Sequence, residues 1–150
     1  MSRPRSPMNN PANAGRASLE FLAVGIVLFV PLMWGAITLL EIQKASMAAD
    51  AAARHAVRVF TSSTSLEAAR QRVQRAVGET LTEFDVAAVH HIIVECEPRS
   101  QCLSPGSWAL LTVSAEVPLS GIPALPVSTP WAVPVQGSAA AQVSVYRGIP

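Results

Sequence analysis

The twenty positions from Phe21 to Leu40 carry no charged side chain, and Glu20 and Glu41 close the two ends. This run constrains the chain more than any other feature, because about 20 residues at roughly 1.5 Å each cross the hydrocarbon core of a bilayer. Its Val, Ile, Leu and Phe side chains each favour insertion by about 0.3–0.6 kcal/mol, which outweighs the cost of Gly25, Pro31 and Gly35. Pro31 cannot donate to the carbonyl of Val27, so a kink or a loosened turn is expected there. Arg3, Arg5 and Arg16 precede the run and Lys44 is the nearest basic residue after it. That asymmetry places the N-terminus on the cytoplasmic side and the remainder outside.

With 150 residues and 15.8 kDa, the chain has room for one modest domain besides the span. Only 14% of residues are charged, against about 25% in an average soluble domain, and the span accounts for most of the deficit. The formal charge is +1; loss of residues 1–15 would remove Arg3 and Arg5 from eleven basic residues, leaving −1 against ten acidic ones. No domain-wide basic excess exists to attract nucleic acid. Phosphate-cradling Gly-rich loops, His-Glu-x-x-His and Gly-x-Ser-x-Gly are all missing from the sequence. The expectation is a protein with no catalytic residue, no cofactor and no small-molecule substrate.

Cys96 and Cys102 stand in Cys-Glu-Pro-Arg-Ser-Gln-Cys. In an exported compartment a disulfide between them would persist, with Pro98 helping the loop to turn. Closing so short a loop contributes about 2 kcal/mol in the chain-entropy model. The competing possibility is a metal site that adds His90 and His91. It is disfavoured because the spacing matches no standard ligand set, and adjacent residues of a strand point to opposite faces.

Residues 1–15 read as a leader, broken by Pro4, Pro7 and Pro11 and without an apolar period. A helix is expected from Arg16 or Ala17 to about Phe60, roughly 68 Å if continuous. Beyond Glu41 it is rich in alanine. The small residues Ala45, Ala49, Ala52 and Ala56 would let another helix or a sheet approach closely, either from a second subunit or from the chain's own domain. Thr61 to Thr64 interrupts the pattern, and Thr64-x-x-Glu67 has the form of a capping box for a second helix. Leu66, Ala69, Val73, Ala76 and Val77 form its apolar stripe and Arg70, Gln71, Gln74 and Arg75 its solvated side, to an end near Thr80–Glu83.

After Asp85 the period changes to two. Strands are predicted at Val86–Glu95, Trp108–Val117 and Ala140–Arg147, with Ala141, Val143 and Val145 facing inward in the last. Residues 96–106 would form the first hairpin loop. Five prolines between Val117 and Val135 argue against a central strand, yet Leu119, Ile122, Leu125, Val127, Trp131 and Val133 make the segment apolar. It is either a cover folded over a sheet edge or an exposed surface that touches a partner or the membrane. The fold class is therefore α+β: a long membrane-spanning helix continuing into a stalk, an amphipathic helix and a small antiparallel sheet. The domain plan is a leader at 1–15, span and stalk at 16–60, and an extracytoplasmic domain at 61–150.

Together, the basic leader, the block Gly15-Arg16-Ala17-Ser18-Leu19-Glu20-Phe21, the apolar helix, the Ala-rich extension and the β-rich end Val143-Ser144-Val145-Tyr146-Arg147 resemble the TadE-like minor pseudopilins. That family belongs to the tight-adherence, or Flp, pilus assembly machinery. The resemblance implies a pilin-like fold and cleavage between Gly15 and Arg16 by a prepilin peptidase. It also implies that Glu20, fifth in the mature chain and followed by Phe21, registers the subunit by meeting the new amino group of a neighbour. The implied partners are membrane lipid, the prepilin peptidase and other pilins or pilus-assembly proteins. Physically, a carboxylate drawn into the apolar layer is costly unless paired; the plainer alternative is an acidic residue at a helix N-terminus marking the interface. Arg16 stands where type IV pilins commonly have an apolar residue, and Pro31 comes later than their usual proline.

Two other readings use the same span. An unprocessed single-pass anchor would carry an outer partner-binding domain. A secreted domain released near Ser46-Met47-Ala48 would need an apolar core of about 7–15 residues, and this one is longer.

Overall fold

The second half of the long helix, unlike the first, is a structural spine. In the computed structural model, which describes residues 12–86, 90–99, 101–118 and 132–146 with side chains from Arg16 onward, helix α1 runs Ala12–Ser62 through Pro31. The chain divides into two compact units, Met1–Ile37 and Thr38–Pro150. In the first, the described side chains from Arg16 to Ile37 lie on the surface apart from the half-buried Trp34. In the second, Ala45, Ala48, Ala49, Ala52, Ala53 and Ala56 are buried, as are Val57 and Phe60. The alanine stripe is thus occupied by the chain's own domain.

Helix α1 begins four residues before Arg16 and continues two beyond Phe60. Its C-terminal extension has a visible cause. Thr61 Oγ1 donates to the Val57 carbonyl at 3.0 Å, and Ser62 Oγ and Ser63 Oγ both donate to the Val59 carbonyl, at 3.1 and 2.6 Å. Val59 is among the last four carbonyls, which a helix end otherwise leaves without intrahelical partners, so the residues expected to interrupt the helix instead finish it.

Helix α2 spans Leu66–Glu83 and buries Ala69, Val73, Ala76, Val77, Thr80 and Leu81. Its N-cap is Ser65, one residue later than the sequence suggested: the Ser65 backbone is extended and its Oγ accepts from the Ala68 amide at 3.3 Å. Glu67 is therefore in the first turn beside the helix N-terminus but is not the partner of a Thr64 capping box. Leu66 is exposed rather than part of the stripe. The helix ends in a Schellman motif, with Val86 N–H donating to Leu81 O and Asp85 N–H to Thr82 O, both at 2.9 Å. Asp85 takes the left-handed position, φ 52°.

Three strands, β1 (His90–Glu97), β2 (Trp108–Pro118) and β3 (Ala132–Gln142), form one antiparallel sheet in the order β1-β2-β3. The class is α+β. On β2 the residues Ala109, Leu111, Val113, Ala115 and Val117 are buried, the face that the alternation indicated. The inner side of the sheet, α2 and the second half of α1 share a core that includes Phe60, Val77, Leu111 and Val113. Ala45, Ala115, Val117 and Val135 form a second, smaller cluster with Ile42 and Val86 packed against it.

The third strand differs from expectation. It begins at Ala132, inside the proline-rich region, and stops at Gln142. Pro134 pairs with Glu116 and is accommodated because β3 is an edge strand, where a missing N–H need not break a ladder. Val143 is buried as expected but lies past the strand, with its N–H donating to Ser107 O at 2.8 Å and its carbonyl accepting from Gly106 N–H at 3.0 Å. Val145, expected inward, is exposed. Val86, predicted to open the first strand, instead belongs to the helix-ending motif, and β1 is described from His90. Whether residues 119–131 cover the sheet or offer a surface falls outside the described residues.

Candidate functional site

The block singled out by the sequence sits at the start of α1. Gly15 lies within α1, three residues after its first described residue, Ala12. Arg16, Ala17, Ser18, Leu19, Glu20 and Phe21 are all exposed. Helical spacing sets Arg16 and Glu20 on one face, one turn apart. Glu20 makes no ion pair among the described residues; the ion pair found there joins Lys44 and Asp85 at 3.5 Å, well away in sequence. Phe21 is 79% exposed, and apart from the half-buried Trp34 the apolar residues that follow it up to Ile37 are exposed as well. A helix apolar all round with no protein cover is what a lipid-facing segment looks like. Among the described residues α1 is the one helix long and apolar enough to cross a membrane.

Cys96 and Cys102 are disulfide-bonded, with Cα atoms 5.1 Å apart. The bond ties the end of β1 to the loop that leads into β2. That loop is anchored again by the buried Ser107, whose Oγ donates to Ser104 O at 2.7 Å and Cys102 O at 3.1 Å. Gln142 Nε2 donates to Gly106 O at 3.0 Å and joins β3 to the same loop. Both sulfurs are consumed by this bond, so neither is available as a thiolate ligand. His90 and His91 face opposite sides of β1; His90 is half-buried and His91 exposed. His90 Nε2 is buried without a hydrogen-bond partner among the described residues. No group of three or more His, Cys, Asp or Glu residues suited to a metal occurs among those residues either.

His55 is held against α2: its Nδ1 lies 3.3 Å from Thr80 Oγ1, whose hydrogen goes to the Ala76 carbonyl at 2.8 Å. With that proton committed, Thr80 serves as acceptor and His55 Nδ1 as donor. The contact joins the two helices.

One surface was overlooked in the sequence. The outer face of the sheet carries Ile93 and Trp108, 55% and 53% exposed, with Leu110 also exposed. Glu97 pairs with Trp108 and Glu95 with Leu110, so two carboxylates border the apolar side chains. The signal was present in the alternation: once Ala109 and Leu111 face the core, Trp108 and Leu110 must face out. No protein family, characterised protein or solved structure matches this chain.

Proposed function

We propose that this chain is a TadE-like minor pseudopilin or pilus-assembly component of a tight-adherence-type secretion system. In this reading it is made as a precursor, cleaved between Gly15 and Arg16, and held in the cytoplasmic membrane with its α+β domain outside, from where it joins a pilus or its assembly complex. The observation that carries the reading is the placement of Gly15 and Glu20 ahead of a run of α1 whose apolar side chains are exposed among the described residues, while the same helix continues as the spine of a folded domain. A neighbouring subunit's new amino group would meet Glu20 at the lipid boundary, where an unpaired carboxylate is costly. Its role is structural rather than catalytic. Lipid, a prepilin peptidase and other pilins are its partners.

The arginine asymmetry supports the inward N-terminus, and the disulfide supports an oxidising outer compartment for the domain. Incorporation tests the role of Glu20. In cells assembling the cognate pilus, wild-type chain is expected in the sheared or membrane-extracted complex. Glu20→Ala is expected to leave membrane insertion intact and lose the complex. Equal incorporation of both forms would remove Glu20 from subunit registration.

A second reading, an unprocessed single-pass protein with a partner-binding outer domain, is favoured by the exposed Ile93, Trp108 and Leu110 face. It requires that Gly15 substitutions change neither mass nor function.

A further inference from the structure

The outer face of the sheet leaves Ile93, Trp108 and Leu110 exposed.

The charge on this face is negative, from Glu95 and Glu97 beside Leu110 and Trp108. The complementary charge is present in the same molecule on a different layer. The solvent side of α2 forms a shallow depression lined by Arg70, Gln71, Gln74 and Arg75, and its buried stripe faces the core. Its two guanidinium groups match the two carboxylates, and an arginine plane is also a partner for the exposed indole of Trp108.

We infer that a second copy of this chain covers the sheet face, presenting the Arg70–Arg75 side of its α2 helix to Ile93, Glu95, Glu97, Trp108 and Leu110. The two patches differ, so the contact is heterologous: each copy keeps one free patch of each kind and the contact repeats along a row of copies. It does not depend on cleavage at Gly15, and its failure would leave the processing proposal standing.

Charge reversal tests it on the full-length chain in detergent, with association followed by sedimentation and folding by circular dichroism. The double variant Glu95→Arg/Glu97→Arg and the double variant Arg70→Glu/Arg75→Glu are each expected to associate at least about tenfold more weakly than wild type. Mixing the two restores association, because each reversed patch then meets its opposite. Trp108→Ala weakens association without altering helix content. Association equal in wild type and both variants would assign it to the membrane helix and overturn the inference. So would a wild-type chain monomeric throughout, or variants that stay separate when mixed.

Discussion

Gly137 on β3 lies directly against the backbone of Ala49 on α1. A Cβ at position 137 would fall on the Ala49 carbonyl group and the Asp50 amide. Strand and helix meet there with no side chain between them, and Ala49 itself is fully buried. The alanine stripe therefore serves a close approach between helix and sheet.

Gly137→Ala is expected to destabilise the domain by roughly 1–3 kcal/mol, the usual range for overpacking. Denaturant unfolding of the full-length chain in detergent measures it. Because the clash is with backbone atoms, trimming Ala49 to Gly should not rescue the variant. Rescue would show that the side chains, and not the backbones, set the distance.

The two halves of α1 should respond oppositely to the same substitution. Phe60 is fully buried, whereas Phe21 faces outward. Phe60→Ala is expected to cost about 3–5 kcal/mol of domain stability. Phe21→Ala should leave that stability unchanged and affect only membrane partition. Denaturation and membrane fractionation of the two variants, side by side, check the division.

Asp85 occupies the left-handed position that ends α2. Asp85→Gly should be within about 0.5 kcal/mol of wild type, since glycine accepts that conformation freely. Asp85→Val should lose about 1–2 kcal/mol. Lys44→Ala should change little, because its pair with Asp85 is solvent-exposed. Thermal unfolding of the three variants distinguishes backbone conformation from charge as the reason for Asp85.

Reduction of Cys96–Cys102, or Cys96→Ser with Cys102→Ser, should cost about 2 kcal/mol. The loss should fall on the loop between β1 and β2, since the disulfide and Ser107 anchor that loop. Hydrogen exchange should rise at residues 96–107 and remain unchanged at Ala49 and Phe60. Free thiols in protein taken from the outer face of the membrane would contradict the proposed oxidising compartment.

Much of this was legible wherever a period persists. The span, the stripe of α2 and the inward set of β2 repeat their pattern over several turns or pleats, and one face or the whole circumference is apolar. Single-residue events were harder to read. Thr64 and Ser65 are equally good caps by composition, and only backbone geometry selects Ser65. Pro134 argued against a strand because an edge position cannot be recognised before the strand order is known. The hydroxyls of Thr61, Ser62 and Ser63 could compete with the helix or complete it, and packing of Phe60 favours completion. At the candidate site, the spacing of Gly15 and Glu20 was visible at once. The open face around Trp108 needed the β1–β2 register to bring Glu95 and Glu97 beside it.

The N-terminus of the chain after coexpression with an active cognate prepilin peptidase is the most direct test of the proposed precursor. Intact mass and terminal sequencing should show a mature chain beginning at Arg16, and substitution of Gly15 should preserve the precursor. A chain that keeps residues 1–15 while the same peptidase processes another prepilin in those cells would contradict it.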